Sequence, residues 1–262
     1  MMQRILTAIL AAAVFLPFVI IGGLPLTLFV YVLATVALFE LLRMKQISLQ
    51  TFPGVLSLLL LWLLLFPGQS IDFLSEVNIS KAEVALLALV FLLSYTVITK
   101  NKFTFDDAGF VMLSTIYIGI GFYYFIATSD KGLHYLFFAM FVIWATDSGA
   151  YFIGRAMGKR KLWPEISPNK TVEGSVGGVI CALGVAFIFQ AFFPINDSFL
   201  KMIVITILLS IFGQMGDLVE SALKRHYHVK DSGTILPGHG GILDRFDSLL
   251  FVLPIFHFLQ FV

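Results

Sequence analysis

The sequence is poor in charged residues and contains a single cysteine. Only 13% of its 262 residues are Asp, Glu, Lys or Arg, whereas 59% are hydrophobic and the mean hydropathy is +0.95. A soluble domain contains about 25% charged residues, so this composition argues against a water-soluble globule. The 17 basic and 16 acidic residues nearly cancel, which gives no general reason to expect a nucleic-acid partner. The lone Cys181 excludes an internal disulfide, a thiolate cluster and a C-x-x-C redox pair.

The hydrophobic residues fall into about nine apolar runs. A helix needs roughly 17–25 apolar residues to cross a bilayer core about 30 Å thick. Because lipid cannot satisfy loose backbone groups and the runs do not alternate, we expect helices rather than a closed barrel. The sequence therefore predicts an all-α, polytopic integral membrane protein with about nine transmembrane helices, at residues 5–21, 24–42, 55–67, 84–99, 109–128, 133–152, 172–193, 199–216 and 246–262.

The distribution of basic residues predicts an orientation. Short cytoplasmic loops collect Lys and Arg. If the N-terminus is inside and nine helices follow, 14 of the 17 basic residues are cytoplasmic, and only Lys81, Lys131 and Lys201 lie on the other side. We therefore expect cytoplasmic loops near residues 155–170 and 224–245. From the size and topology of the chain, we expect the protein in the bacterial cytoplasmic (inner) membrane.

Local motifs predict how some helices begin and pack. Ser80 and Glu83 have the spacing of a capping box, and Gly22-Gly23 indicates a tight turn between the first two helices. A strip of small residues opens the seventh helix, and such strips usually serve close helix packing: Gly174, Gly178, Cys181 and Gly184. The strip also permits a homodimer.

Charge is concentrated in the C-terminal part of the chain. The 116 residues from Asp147 onward carry 19 charged side chains, against 14 in the preceding 146. This asymmetry divides the chain into N-terminal helices, residues 1–140, and C-terminal helices that carry the motifs, residues 141–262, within one continuous membrane domain. A charged residue at membrane depth usually has a function. Asp147 and Asp217 are in that position, although either could simply mark the end of a helix.

Residues 221–247 contain four cations, three carboxylates, three histidines and a glycine-rich turn. If the eighth helix continues through Lys224, then Asp217, Ser221 and Lys224 or Arg225 share one face. Mg²⁺ binds carboxylates and takes its remaining ligands from water and phosphates, while Lys and Arg neutralise phosphate directly. Glycines allow the backbone to approach a ligand closely. These parts predict a polyphosphate that is held through a metal at cytoplasmic loops and helix ends.

Two other assignments fit poorly. Zinc would need better ligand spacing than His226, His228 and His239 provide. A phosphate loop, G-x-x-x-x-G-K-S/T, fails because Ile153 and Arg160 occupy required positions.

The basic run of Lys159, Arg160 and Lys161 favours contact with anionic membrane lipids. Trp163 beside it is typical of a residue at the level of the lipid headgroups.

Four motifs together resemble the signature of the CTP:phosphatidate cytidylyltransferases, or CDP-diacylglycerol synthases: Ser221-x-x-Lys224-Arg225, Lys230-Asp231-Ser232, Leu236-Pro237-x-His239-Gly240-Gly241 and Leu243-Asp244-Arg245-x-Asp247. Residues 167–174, SPNKTVEG, are similar to the family's S-P-x-K-S/T-x-E-G loop, and Asp147-Ser148 followed by Tyr151, Phe152 and Gly154 matches its pattern. The resemblance covers residues 147–248, while the first 140 residues are not diagnostic.

The resemblance implies transfer of CMP from CTP to phosphatidic acid, giving CDP-diacylglycerol and pyrophosphate with Mg²⁺ required. We assign Asp217 and Asp244 as ligands of Mg²⁺, and the presence of a second cation is left open. Asp147 and Asp247 are further ligands or carboxylates that support the first two. We assign catalysis to Lys224, Arg225, Arg245 and His239. Substrate binding is assigned to Ser221, Lys230, Asp231, Lys170, Thr171, Glu173, Gly240 and Gly241, although Asp231 and Glu173 could instead hold the cations through salt bridges.

Two other functions remain as alternatives. A CTP-dependent polyprenol or dolichol kinase would share the nucleotide and the membrane setting. A transporter would also carry charges within the membrane, but here the charges cluster at one face.

Overall fold

The computed structural model describes residues 2–66, 80–195 and 198–259. In this part of the chain the backbone forms nine helices and one two-stranded hairpin. They are α1 (Met2–Ile21), α2 (Gly23–Met44), α3 (Phe52–Leu65), α4 (Lys81–Ile98), α5 (Phe105–Lys131), α6 (Leu133–Met157), β1 (Lys161–Trp163), β2 (Ser167–Thr171), α7 (Val172–Phe192), α8 (Phe199–His226) and α9 (Leu243–Phe258).

Six helices of the described residues are long and apolar enough to cross a membrane: α2, α4, α5, α6, α7 and α8. The apolar parts of α1 and α3 are shorter, and α9 has 16 residues. The all-α architecture of a polytopic integral membrane protein is therefore confirmed, whereas a count of nine spans stays a prediction. The ends predicted at residues 67 and 262 lie outside the described residues.

The helix boundaries follow from the local motifs. The Ser80 N–H donates to Glu83 Oε2 at 2.6 Å, and the Glu83 N–H donates back to Ser80 Oγ at 3.3 Å, which confirms the capping box of α4. Gly22 and Gly23 both have positive φ, at +65° and +55°, which glycine adopts without strain. This pair turns the chain between α1 and α2, as predicted.

The chain divides into two compact units. The first contains Met1–Leu26 and Tyr124–Val262, and the second contains Thr27–Tyr123. All the charged motifs from Asp147 onward lie in the first unit, where α6 packs on α7 and α8 packs on α9. In the second unit α3 packs on α4, and Lys81 Nζ donates to the carbonyls of Leu64 and Phe66 at the end of α3. The division predicted at residue 140 stays a prediction.

The small-residue strip lies between α6 and α7. A Cβ atom on Gly178 would lie 2.7 Å from the Thr146 carbonyl oxygen, and one on Gly149 would lie 2.7 Å from Cys181 Sγ. Gly184, further along α7, has open space within 4 Å. The prediction that the strip serves close packing is confirmed for the part of α7 nearest the charged motifs.

Two elements differ from the hydropathy pattern. Helix α8 continues ten residues beyond the predicted end at 216, to His226, and the face predicted on that condition is therefore real. Residues 161–171, expected to be a loop, form an antiparallel hairpin in which Lys161 pairs with Thr171 and Trp163 with Ser167. The hairpin leads directly into α7, because Thr171 is also the N-cap of that helix.

Candidate active site

A cleft of about 520 Å³ lies among α6, the β1–β2 hairpin, α7 and α8. Residues three or four apart along a helix share a face, so the C-terminal half of α6 presents one row of side chains to it. The lining residues are Asp147, Ala150, Tyr151, Gly154, Arg155, Gly158, Lys161, Leu162, Asn169, Lys170, Thr171, Ser175, Gln214 and Asp217. We refer to this space as the cleft.

Asp217 lies on α8 and is engaged through both carboxylate oxygens. Its Oδ2 forms a salt bridge with Lys170 Nζ, which β2 brings to the same wall of the cleft. Its Oδ1 accepts a hydrogen bond from Ser221 Oγ at 3.3 Å. The predicted face of α8 that carries Asp217 and Ser221 therefore exists, and it faces a cation from the hairpin.

Three carboxylates from different helices interact electrostatically near the cleft. Asp147 on α6 is repelled by Asp217 on α8, and Asp247 on α9 is repelled by both. The nearby cations Lys170 and Arg245 attract Asp147. Within the described residues, no three His, Cys, Asp or Glu side chains form a complete metal site by themselves. Mg²⁺ does not need one, because it is usually bound by one or two carboxylates together with water and substrate phosphates.

Asp244, in the first turn of α9, accepts hydrogen bonds through both oxygens. Its Oδ2 accepts from the N–H groups of Ser232 and Gly241, at 2.8 and 2.7 Å, and from Ser232 Oγ at 2.8 Å. Its Oδ1 faces Lys224 Nζ at 2.6 Å. Burial opposes ionisation, but these donors lower the pKa of the Asp244 carboxyl from 3.8 to about 2. Asp244 therefore favours its ionised form, and its contacts tie α8 to the loop before α9.

Lys224 is held between two carboxylates. Besides Asp244, its Nζ contacts Glu220 Oε2 at 2.5 Å, one turn earlier on α8. The Glu220 side chain is only 2% exposed, and its other oxygen, Oε1, has no hydrogen-bond partner among the described residues. Glu220 is not among the residues predicted from the sequence, although the spacing of four residues between Glu220 and Lys224 is typical of a helical ion pair.

The glycine-rich turn brings His239 and Asp244 together. Gly238 and Gly240 have φ of +75° and +82°, and the Leu236 N–H donates to the Gly240 carbonyl at 3.0 Å. A Cβ atom on Gly240 would overlap the Asp244 carboxylate. His239 Nδ1 is buried and has no hydrogen-bond partner among the described residues.

Other predicted residues organise the hairpin. The Glu173 carboxylate accepts from the N–H groups of Lys159 and Arg160, at 3.0 and 3.1 Å. Thr171 Oγ1 accepts from the Gly174 N–H at 3.1 Å as the N-cap of α7. These contacts support the backbone on either side of Lys170.

The structure gathers only part of the predicted set at the cleft itself. Asp147, Asp217, Lys170 and Thr171 line the cleft, and a second group surrounds Asp244: Lys224, Gly240, Gly241. Arg225 Nε donates to the Ile166 carbonyl at 3.4 Å and Arg245 Nε to that of His239 at 3.1 Å. Lys230 and Asp231 are exposed on the loop after α8. The functional roles assigned to all of these residues stay predictions.

Several cleft residues were not among the predicted site residues. They are Arg155, Lys161, Asn169, Ser175 and Gln214. Gln214 Nε2 donates to the Ser175 carbonyl at 3.4 Å and so links α8 to α7. The helical spacing from Asp147 gives a signal for Arg155, eight residues later on the same face. The sequence gives no equivalent signal for the hairpin residues, because their strand pairing was not predicted.

Comparison with known proteins places this geometry in a family. Residues 2–262 match the model of the cytidylyltransferase family. The chain is 59% identical to the phosphatidate cytidylyltransferase of Bacillus subtilis (strain 168), over 99% of this chain and 97% of the relative. It is 53% identical to that of Staphylococcus haemolyticus (strain JCSC1435) and 48% identical to that of Staphylococcus aureus (strain COL), over 99% of this chain and 98% of each relative. The chain belongs to the cytidylyltransferase family.

Proposed function

We propose that this membrane enzyme transfers CMP from CTP to phosphatidic acid, forming CDP-diacylglycerol and pyrophosphate for phospholipid synthesis. The observation that carries the proposal is the cleft itself, in which paired cations and carboxylates lie at the ends of apolar helices. Its relatives along the whole chain are named phosphatidate cytidylyltransferases. A lipid with a charged phosphate requires a charged site that can be reached from the membrane.

The chemistry joins two anions. An oxygen of the phosphatidate phosphate attacks the α-phosphorus of CTP, and the bond from that phosphorus to the β-phosphate oxygen breaks as pyrophosphate leaves. The attacking oxygen is already anionic, so catalysis depends on positioning and on charge stabilisation. In this proposal Lys224, Arg225 and Arg245 supply positive charge, and His239 interacts with a phosphate oxygen. Lys230 and the turn at Gly240 and Gly241 lie within the same chain segment.

We propose that the carboxylates near the cleft hold a magnesium ion. Asp147, Asp217 and Asp247 repel one another, and a divalent cation relieves such repulsion. We propose Asp217 as the principal ligand, with Asp147 and Asp247 as further ligands or as partners that hold it. Bound there, Mg²⁺ would neutralise phosphate charge. Asp244 accepts three hydrogen bonds through Oδ2 and faces Lys224 through Oδ1, whereas Asp217 has two contacts, to Ser221 and Lys170. Asp244 therefore suits positioning of Lys224 better than ligation, and its metal role stays a prediction.

We propose that the cleft faces the cytoplasm in the bacterial cytoplasmic membrane. CTP is a cytoplasmic nucleotide that does not cross lipid, so its site must open to that side. The bias of Lys and Arg towards the loops near the cleft supports this orientation.

Asp217→Asn tests the proposed function. Membranes with the full chain are supplied with CTP, Mg²⁺ and vesicles containing phosphatidate, and pyrophosphate is measured. We expect the wild type to release pyrophosphate and Asp217→Asn to lose about two to three orders of magnitude in kcat. Asp130→Asn, an exposed carboxylate outside the cleft, should retain full activity.

Three outcomes would contradict the proposal. Full activity of Asp217→Asn would exclude its central role. Formation of CDP with a phosphorylated polyprenol would identify a kinase instead, and solute flux without CTP consumption would identify a transporter.

A further inference from the structure

Two cations of the cleft have no acidic partner. Lys170 is neutralised by Asp217, but Arg155 and Lys161 form no salt bridge among the described residues. The contact found for the Arg155 side chain is a hydrogen bond from Nη1 to Tyr151 Oη at 3.3 Å. Both cations line the cleft and both are exposed. The end of α6 and β1 therefore bring to the cleft two positive charges that no salt bridge of the described residues compensates.

Lys224, beside Asp244, differs in this respect. Lys224 is balanced by Glu220 and Asp244. Among the cations that line the cleft, Arg155 and Lys161 are therefore the two that form no salt bridge within the described residues. The planar guanidinium of Arg suits a phosphate because it donates two parallel hydrogen bonds.

Exposed aromatic and apolar side chains lie close to these two cations along the chain. Tyr151 and Phe152 lie one turn before Arg155 on α6 and are 59% and 67% exposed, and Met157 is 67% exposed. Trp163 lies two residues after Lys161 on β1 and is 47% exposed. In a membrane protein, such exposed aromatic and apolar side chains face lipid or the headgroup layer. The ligand that matches this surface is amphipathic, with a phosphate next to acyl chains.

We propose that Arg155 and Lys161 bind the phosphate of phosphatidate where the lipid enters the cleft. The inference rests on the proposed function, since it assigns the lipid subsite of the same reaction. Tyr151 is a positioning residue, because its hydroxyl accepts the hydrogen bond from Arg155. Arg155 and Lys161 have the chemistry to bind either the lipid phosphate or a phosphate of CTP, and we assign them to the lipid phosphate.

Kinetics with two variable substrates test the assignment. Arg155→Gln and Lys161→Gln are compared with Arg160→Gln and Lys159→Gln, which belong to the same basic segment, are exposed and do not line the cleft. We expect the first two variants to raise the KM for phosphatidate, as its mole fraction in vesicles, about ten-fold each. The KM for CTP and kcat should stay within about two-fold, and so should all constants of the two controls.

The pattern of change identifies the ligand. A rise in the KM for CTP instead would assign this wall to the nucleotide and overturn the inference. An equal effect of the control substitutions would show general attraction to an anionic surface and would also overturn it.

A binding measurement without CTP tests the lipid subsite independently of catalytic turnover. The purified full chain is titrated with dioctanoyl phosphatidate or dioctanoylglycerol, and its thermal stability is recorded. We expect phosphatidate to stabilise the wild type and both controls, and to stabilise Arg155→Gln and Lys161→Gln far less. If the wild type releases no pyrophosphate but shows this pattern, the proposed function fails and the lipid subsite stands. If it is active and all variants respond alike, only the subsite fails.

Discussion

Gly240 is the residue where backbone conformation and site chemistry meet most closely. Its φ is +82°, and a Cβ atom there would overlap the carboxylate of Asp244. We expect Gly240→Ala to displace Asp244, to release Lys224 from its position and to lower kcat/KM about ten- to hundred-fold. Strain at this φ should also cost about 1–2 kcal/mol of stability. Steady-state kinetics and thermal inactivation of the variant measure both effects.

The matched control for this prediction is Gly184→Ala. Gly184 lies within α7, and a Cβ atom there has no neighbour within 4 Å. Its activity should equal that of the wild type. Normal kinetics for Gly240→Ala would mean that the turn adapts and that Asp244 does not depend on it.

The residue types in the sequence indicated phosphate and metal chemistry, but they did not indicate which charged side chains pair with each other. Asp217, Ser221 and Lys224 were predictable because helical spacing fixes which side chains share a face. The salt bridge between Lys224 and Asp244 joins two helices that are connected by a loop of irregular backbone. Because such a loop has no regular side-chain period, the sequence does not predict this pairing. Glu220 is buried as the second partner of Lys224, and its position became meaningful only once that bond was known.

At the scale of elements, the close contact between α6 and α7 depends on glycine residues, which have no side chain. A Cβ atom on Gly178 would lie 2.7 Å from the Thr146 carbonyl oxygen, which is backbone and cannot turn aside. We expect Gly178→Ala to destabilise the protein by about 1–3 kcal/mol through overpacking, although Ala favours a helix by about 1 kcal/mol over Gly. The shift in thermal inactivation temperature measures this effect.

Gly184→Ala on the same helix separates packing from helix propensity. With open space at that position, only the gain in helix propensity remains, so stability should stay equal or rise. Equal shifts for Gly178→Ala and Gly184→Ala would mean that the two helices move apart without cost.

Hydropathy located the helices because lipid-facing residues must be apolar over a full membrane thickness. It placed the end of α8 ten residues too early, because the helix continues with Asp217, Glu220 and Lys224 turned towards protein partners rather than lipid. It gave no indication of the β1–β2 hairpin, whose strands have three and five residues. Such short strands are stabilised by their pairing and by the contacts of Glu173. These are tertiary interactions, which a hydropathy pattern does not report.

At the scale of the whole molecule, composition and charge bias predicted a membrane protein with one charged face. The structure also shows that α6 and α8 run in the same direction towards the cleft. The cleft is lined by residues in the C-terminal half of α6, namely Asp147, Ala150, Tyr151, Gly154 and Arg155, and by Gln214 and Asp217 in that of α8. The C-terminal halves of both helices therefore reach the same end of this compact unit, with α7 returning between them.

Orientation in the membrane can be tested with single cysteines in a Cys181→Ser background. Helix α8 has 28 residues, about 42 Å at 1.5 Å per residue, so it exceeds a bilayer core of about 30 Å. Lys201 near its start and Lys230 after its end should therefore lie on opposite sides. The same argument separates Lys131, before α6, from Lys159 after it.

The measurement is labelling by a maleimide that does not cross membranes. We expect Lys131→Cys and Lys201→Cys to react in intact cells, and Lys159→Cys and Lys230→Cys to react only after permeabilisation, because the cytoplasmic side collects Lys and Arg. The reverse pattern would place the cleft outside, away from CTP, and would be incompatible with the proposed reaction. Labelling of all four positions in intact cells would mean that α6 and α8 do not span the bilayer. The result therefore tests, in one experiment, both the number of crossings in this unit and the side on which the nucleotide must arrive.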